Sequence, residues 1–269
     1  MRISFIGGGV MAEAIVQGIL RKGLATPGDL VVSDVAPARR EILSKRYDII
    51  TVHSNAQAVE PAEVVILSIK PQNLTEVFGG LAGNLSDRLL LSIVAGASIG
   101  TLMEGFRHER IVRVMPNTPA QIGQGISVWT ATESVSEDQR EAAQQILMAL
   151  GREIFVSDEK YLDMATAVSG SGPAYIFLIL EALIDAAVHI GLGRQLAEEL
   201  VLQTAVGSAL FARKSGKHLA ELRNMVTSPA GTTAAALLKL EQAGLRASLI
   251  EAVTAAYERA TVLGRTDNK

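Results

Sequence analysis

The sequence predicts an α/β fold in which an N-terminal doubly wound sheet is followed by an all-helical domain. In the first half of the chain, short runs of apolar and β-branched residues alternate with helical patterns, which is typical of parallel strands joined by crossover helices. From residue 159 onward almost only helical patterns remain. We therefore expect one domain over residues 1–158 and a second over residues 159–269.

Each element of the first domain is predicted from its own pattern. The runs at 63–69 and 89–94 are apolar throughout, which suits strands buried on both faces. Gly23 marks the end of the first helix, and Ser136 opens the last one. The predicted strands cover residues 2–6, 30–33, 49–52, 63–69, 89–94, 110–114, 125–131 and 153–156, and the predicted helices cover 9–22, 38–46, 74–81, 99–106 and 137–150.

Five helices are predicted in the second domain. Proline is favoured at the first position of a helix and glycine just after its end, and both occur here at the expected places. Small and apolar residues cover more than one face of these helices, as in residues 205–210, so we expect a helical dimer interface. The alternative is that these faces pack only on each other. The helices cover residues 173–190, 194–215, 219–226, 233–243 and 247–263.

Composition excludes several classes of function. Hydrophobic residues make up 48% of the 269 residues, enough for a substantial core, and aromatics only 4%. The absence of cysteine excludes disulfides, thiolate chemistry and cysteine-based zinc sites, and the four histidines show no metal-ligand spacing, so no metal is expected. A net charge of -3 does not indicate a nucleic-acid partner.

The sequence predicts a cytoplasmic, soluble protein without a membrane partner. The first residues lack the apolar stretch and cleavage site of a signal peptide. The most apolar segment, residues 174–190, is interrupted by Glu181 and Asp185, and we expect it to fall short of a membrane span.

A glycine-rich turn follows the first predicted strand and opens the first helix. It fits G-x-G-x-x-A, the pattern of a Rossmann-type dinucleotide-binding domain, in which the helix N-terminus faces the cofactor phosphates. Gly7 permits the tight turn, Gly9 lets the backbone approach the pyrophosphate, and Ala12 keeps helix and strand close. The alternative is a turn that only needs glycines. The predicted cofactor-binding residues here are Gly7, Gly8, Gly9, Val10, Met11 and Ala12.

The end of the second strand carries conflicting signals for NAD and NADP. Asp34 favours NAD, because an acidic residue there binds the adenosine ribose. Ser33, Arg39 and Arg40 can serve the 2′-phosphate of NADP, although the two arginines equally suit a solvated helix face. The expected cofactor is NADPH, with NADH as the alternative.

Further candidates follow three later strands, because ligands of doubly wound folds lie outside the carboxyl ends of the strands. They are predicted to lie along the nicotinamide half of the cofactor. They are Ile69, Lys70 and Pro71 after the fourth strand, Ala95 and Gly96 after the fifth, and Asn117 after the sixth.

Two hydroxyl-rich turns lead into helices of the second domain, at residues 169–175 and 226–233. A helix N-terminus with hydroxyls and a glycine suits a carboxylate, so Ser228, Thr232 and Thr233 are candidates for an anion site. The alternative is that these hydroxyls only cap the helix.

Together these motifs resemble pyrroline-5-carboxylate reductases over essentially the whole chain. The segment 227–233 is the most specific, and Ala230 departs from it, because the family commonly has a second glycine there. The segments that carry the resemblance, in family order, are 7–12, 70–71, 95–96, 115–119, 169–175 and 227–233.

The resemblance implies a dimer interleaved through the helical domain, often assembled further into decamers. It implies reduction of 1-pyrroline-5-carboxylate to L-proline by NADPH or NADH, the last step of proline biosynthesis. Ser228 and the backbone at Gly231 and Thr232 would hold the substrate carboxylate, and Thr233, as the catalytic residue, would hydrogen-bond the ring nitrogen. Asn55 would lie near the adenosine ribose or its phosphate.

Two rival functions share the predicted layout. A β-hydroxyacid dehydrogenase would place a catalytic lysine, and an asparagine four residues later, in the helix at 173–190, which contains neither. A redox-sensing module would bind NADP without turning it over.

Overall fold

The predicted strands of the first half form one eight-stranded sheet in the computed structural model of this protein. The structure describes residues 1–266, with side chains as far as Gly264. The strand order is β3-β2-β1-β4-β5-β6-β7-β8, so the order reverses between β1 and β4, where doubly wound folds bind ligands. The strands are β1 (Ile3–Ile6), β2 (Leu30–Ser33), β3 (Ile50–Val52), β4 (Val64–Leu67), β5 (Leu89–Ser92), β6 (Ile111–Met115), β7 (Gly125–Ala131) and β8 (Gly151–Phe155).

One pairing of strands corrects the prediction of a parallel sheet. β7 pairs antiparallel with β6, whereas β8 runs parallel to β7. The reason lies in the connection between β6 and β7, which contains only a short 3₁₀ turn (Thr118–Ile122). Without a crossover helix, the chain cannot return to the end of the sheet at which β6 begins, so the next strand must run in the opposite direction.

Helices cover both faces of the sheet, and each face has its own apolar core. Because successive strand residues point to opposite faces, Ile3 and Phe5 of β1 belong to one core and Ile6 to the other. The helices are α1 (Val10–Lys22), α2 (Pro37–Tyr47), α3 (Asn55–Val59), α4 (Leu74–Leu81), α5 (Ile99–Phe106) and α6 (Glu137–Met148).

The second half is helical, as predicted, but its first helix begins at Lys160, before the first predicted helix at residues 173–190. A helix α7 (Lys160–Ala165) and a π-helical turn (Thr166–Gly170) precede α8. The remaining helices are α8 (Gly172–His189), α9 (Arg194–Ser215), α10 (Leu219–Met225), α11 (Thr232–Gln242) and α12 (Leu245–Thr266).

By compactness the chain divides into two units. One comprises Met1–Ser171 together with the chain from Ala256 onward, and the other comprises Gly172–Ala255. The predicted boundary after residue 158 marks a change of pattern rather than of compactness and stays a prediction.

The helices of the second unit leave large apolar surfaces exposed. No residue of α8 is buried, and on this helix Ile176, Phe177 and Leu178 are all more than half exposed. In α9, whose described residues include only one buried side chain, Phe211 is also exposed. These faces therefore do not pack only on each other within one chain, and the expected dimer interface has apolar surface available.

One helical stretch, residues 160–189, is long and apolar enough to cross a membrane by length and composition. This corrects the expectation that the apolar segment falls short of a span, because the helical structure begins at Lys160 and continues through the π-helical turn. Only 6% of its most apolar window is buried within the chain. A helix whose apolar face packs against a partner subunit can have the same length and composition as a helix that spans a membrane.

Candidate active site

The glycine turn after β1 has the geometry that its sequence predicts. Gly7 has φ +94°, and a Cβ there would lie 2.7 Å from the Ser68 carbonyl oxygen, so only glycine fits. At Gly9 a Cβ would meet nothing within 4 Å, so the backbone faces open space. Gly9 also precedes α1 without a side-chain cap, which leaves the first N–H groups of the helix for a phosphate.

A groove of about 400 Å³ lies at this turn, along the carboxyl ends of the strands. It brings together seven of the predicted cofactor residues. Val10 lies beside it, exposed at the first position of α1, whereas Gly8 and Ala12 are buried behind the turn. The groove is lined by the predicted Gly7, Gly9, Ser33, Asp34, Asn55, Ile69 and Lys70, and also by Ile6, Val35, Ser68, Gln72, Asn73, Glu76 and Val77.

Asp34 is bonded to the backbone on both sides of its carboxylate. Oδ2 accepts a hydrogen bond from Gly8 N at 2.8 Å, and Oδ1 accepts one from Ala36 N at 2.8 Å. The side chain therefore joins the glycine turn to the start of α2. A carboxylate oxygen accepts more than one hydrogen bond, so a role toward the ribose stays a prediction.

The Ser33 hydroxyl is bonded to Asn55 at the groove. Ser33 is fully buried, and its Oγ donates to Asn55 Oδ1 at 2.7 Å. Ser33 and Asn55 both line the groove, and contact of this hydroxyl with a 2′-phosphate stays a prediction. Asn55 lines the groove as the first residue of the short helix α3.

The two arginines of α2 are engaged, which corrects their interpretation as a solvated face. Arg39 donates to the carbonyl oxygens of Gly8 and Gly9 and forms an ion pair with Glu13. Arg40 Nη1 donates to Asp34 O at 2.6 Å. Burial alone would raise the pKa of the Glu13 carboxyl, but hydrogen bonds from Arg39, Tyr47 and Arg46 lower it below its ordinary value. The charge of Arg39 is thus balanced within the protein.

The remaining predicted cofactor residues lie at the same end of the sheet but outside the groove. Ala95 and Gly96 follow β5, and Gly96 has φ +80°. Pro71 opens a 3₁₀ turn before α4, and Met11 is half-buried in the first turn of α1.

Asn117 links two of the motifs. Its Nδ2 donates to Ser169 O at 3.2 Å, and its Oδ1 accepts from Ile126 N at 2.9 Å. Gly170 lies at the same junction, where a Cβ would be 2.4 Å from the Met115 side chain. The amide of Asn117 therefore holds the loop after β6 against the π-helical turn, and contact with a cofactor stays a prediction.

The predicted substrate residues lie together at the start of α11 in the second unit. Gly231 precedes this helix without a side-chain cap, and the hydroxyls of Ser228, Thr232 and Thr233 form no hydrogen bond within the part of the chain that the structure describes. The alternative that these hydroxyls cap the helix is therefore wrong. Uncapped N–H groups and free hydroxyls at one turn favour a carboxylate.

Ala230 occupies a conformation that favours glycine, with φ +57°. The sequence departs from the family pattern at this residue. Gly231, in contrast, has φ −80°, which any residue adopts, but a Cβ there would lie 2.5 Å from Ser228 Oγ. The turn therefore leaves little space beside Gly231 and holds Ala230 with backbone strain.

Sequence reasoning missed several groove residues, chiefly Gln72, Asn73 and Glu76. Gln72 and Asn73 lie in the 3₁₀ turn just before α4, and Glu76 lies in the first turn of that helix. Their position in the sequence, closely following Lys70, was the signal that could have identified them as groove residues. Val35, exposed beside Asp34, was missed because an apolar residue carries no ligand chemistry.

Two family models match the chain. The model described as pyrroline-5-carboxylate reductase dimerisation matches residues 159–263, and the one described as NADP oxidoreductase, coenzyme F420-dependent, matches residues 2–96. The first covers the predicted substrate turn and the helices with exposed apolar faces. The second covers the glycine turn and the groove.

Full-length relatives share one name. A pyrroline-5-carboxylate reductase of Synechocystis is 41% identical over 98% of this chain and 99% of its own length. The solved structure of a pyrroline-5-carboxylate reductase from Coxiella burnetii has a TM-score of 0.90 and 38% identity, with 98% of each chain covered. The structure of Plasmodium falciparum pyrroline carboxylate reductase with NADP bound has a TM-score of 0.90 and 32% identity over 98% of each chain. The chain belongs to the pyrroline-5-carboxylate reductase family.

Proposed function

We propose that this protein reduces 1-pyrroline-5-carboxylate to L-proline by hydride transfer from NAD(P)H, the last step of proline biosynthesis. Family membership over nearly the whole chain supports the reaction class. The observation that carries the substrate assignment is the uncapped start of α11, with its free hydroxyls at Ser228, Thr232 and Thr233.

The first unit fits a dinucleotide. The open backbone at Gly9 and the uncapped start of α1 suit the pyrophosphate, and the groove at Asp34 and Asn55 suits the adenosine half. When bound, the reduced nicotinamide supplies the hydride. The positions of Ile69 and Lys70 in the groove agree with a cofactor that extends past β4.

The protein's own residues bind and orient the imino acid. The carboxylate accepts hydrogen bonds from the first N–H groups of α11 and from Ser228, and the Thr233 hydroxyl bonds the ring nitrogen. A protonated cyclic imine is already a good hydride acceptor, so no strong general acid is required. Orientation alone can lower a barrier by roughly 7–11 kcal/mol. A binding turn made of Ser, Thr and Gly is therefore sufficient for this reaction.

The experiment is an assay of nicotinamide absorbance with purified protein and 1-pyrroline-5-carboxylate, run once with NADPH and once with NADH. We expect decay that depends on the imino acid, and the ratio of the two rates decides the cofactor preference. A redox sensor would bind the cofactor without decay. No decay with either cofactor would contradict the proposed reaction.

The dehydrogenase alternative has no support in the long helix of the second unit. α8 contains neither lysine nor asparagine, so the residues that would oxidise an alcohol are missing from it. Consumption of a β-hydroxyacid with NAD(P) would be the contrary result.

The protein forms a homo-oligomer through the region matched by the dimerisation model, and we propose a dimer core that assembles further, up to a decamer. The exposed apolar faces of α8 and α9 supply the surface for the dimer. We also propose a cytoplasmic location, without nucleic-acid or membrane partners. Light scattering measures the assembly, and a mass equal to one chain would contradict it.

A further inference from the structure

A buried arginine in the middle of β6 pairs with two carboxylates that the proposed reaction does not use. The side chain of Arg113 is 7% exposed. Its Nη1 donates to Glu159 Oε1 at 2.6 Å, and its Nη2 donates to Asp163 Oδ1 at 3.0 Å. Moving either carboxylate away would leave the buried charge of Arg113 without a partner, which is strongly destabilising. The guanidinium therefore holds both carboxylates in place.

The same oxygen of Glu159 also accepts a backbone hydrogen bond. Ile99 N donates to Oε1 at 2.8 Å, and Ile99 is the first residue of α5. A carboxylate is favourable there, since the N-terminus of a helix carries partial positive charge. Glu159 thus connects Arg113 to the residue at which α5 begins.

Between β5 and α5 lies the loop 93–98, which contains Ala95 and Gly96. Arg113 pairs in the sheet with Ser92, the residue just before the loop, and Glu159 bonds the residue just after it. The β5–β6 pairing therefore fixes the start of loop 93–98, and Glu159 fixes its end.

Within the loop, Ile93 N donates to Leu67 O at 3.0 Å, and the two bonds that follow are longer. Val94 N lies 3.3 Å from Ser92 Oγ, and Ala97 N lies 3.4 Å from Val94 O. Gly96, at φ +80°, adds no side chain that could fix the backbone. Apart from the packing of its buried residues Val94 and Ala97, the loop therefore depends on its ends for its shape.

We propose that Glu159, oriented by Arg113, is a positioning residue that keeps loop 93–98 in the shape required by the nicotinamide half of NAD(P)H. In a doubly wound fold the adenosine half lies against β1 and β2, and the nicotinamide half lies beyond β4 and β5. This role rests on the proposed function. It predicts that binding of the whole cofactor depends on Glu159, whereas binding of the adenosine half alone does not.

The experiment compares two ligands by calorimetry on the full-length protein. One is the reduced cofactor that the unaltered enzyme binds more tightly, and the other is its fragment without nicotinamide, ADP-ribose or 2′-phospho-ADP-ribose. For Glu159→Ala we expect the Kd of the whole cofactor to rise about tenfold, because the variant loses a charged hydrogen bond that holds the loop proposed to lie beside the nicotinamide. The Kd of the fragment should change by less than about twofold, because the fragment lacks the nicotinamide half. Glu159→Gln retains an oxygen acceptor and should restore most of the affinity.

The matched control is Asp158→Asn, which removes a negative charge one residue away. Its Oδ1 still accepts from Lys160 N, so α7 keeps its start and both affinities should stay unchanged. If Glu159→Ala does not fold, Glu159→Asp withdraws the acceptor by one methylene and serves the same comparison.

Two results would overturn the role of Glu159. One is unchanged binding of the whole cofactor in a folded Glu159→Ala protein. The other is equal weakening of cofactor and fragment, which would indicate a general loosening of the domain. Because neither measurement uses the imino acid, a failure of turnover with intact cofactor binding would count against the proposed reaction alone.

Discussion

Gly231→Ala tests whether the Ser228 hydroxyl binds the substrate. The φ −80° and ψ 171° of Gly231 suit alanine, so the folding cost is that of a poorer helix cap, about 1 kcal/mol, together with a small shift of the Ser228 carbonyl oxygen, which would lie 3.1 Å from the added Cβ. The added methyl would lie 2.5 Å from Ser228 Oγ, whereas ordinary contact begins at 3.4 Å. The hydroxyl must therefore move by about 0.9 Å, the difference between those two distances. Loss of a hydrogen bond to a carboxylate costs about 1.5–3 kcal/mol, so the KM for the imino acid should rise roughly ten- to a hundredfold.

Steady-state kinetics at saturating cofactor measure this KM, and the KM of the cofactor is the internal control because it should not change. Ser228→Ala should give a similar loss, and the double variant should be no worse than either single one, since both remove the same contact. A folded Gly231→Ala protein with an unaltered KM for the imino acid would refute a substrate role for Ser228. Additive losses in the double variant would do the same.

Three further predictions concern stability and turnover. Thr233→Ala should lose most of its kcat while its cofactor Kd stays unchanged, and Thr233→Ser should retain activity; full turnover in the alanine variant would exclude a role at the ring nitrogen. Ala230→Gly should raise the free energy of unfolding by about 1 kcal/mol, because the left-handed backbone there strains alanine; urea unfolding at fixed protein concentration measures it, and a decrease would contradict the strain. Burial lowers the pKa of His108 below its ordinary value, against a weaker opposing hydrogen bond with Arg88 O. The unfolded chain therefore binds this proton first, and stability should fall as the pH drops below about 6.5, by at most about 1.4 kcal/mol per pH unit. Unfolding curves at several pH values, compared with His108→Gln, check the slope, and an unchanged slope in that variant would assign it to other groups.

Local patterns determined most of the elements. The predicted bounds of β2, α4, α5, β7 and α9 agree with the structure, because their apolar periodicity and their capping residues lie within the element itself. The short helix α3 was missed, since five residues are too few to show a period. The antiparallel turn into β7 was missed for another reason: the direction of a strand depends on how its neighbours are connected, not on its own residues.

The glycine turn and the substrate turn were recognisable because each is one contiguous segment, and the chemistry of such a segment depends on residues that are neighbours in sequence. Only the tertiary structure showed that Asp34 accepts a hydrogen bond from Gly8 N, that Ser33 donates one to Asn55, and that Glu159 joins Arg113 to the start of α5. These contacts join residues 22 to 60 positions apart. The sequence by itself thus determined the family, the kind of cofactor and the candidate residues. Which side chains face a ligand and which hold the backbone was decided by packing, because burial and hydrogen-bond partners are set by residues from other strands and helices.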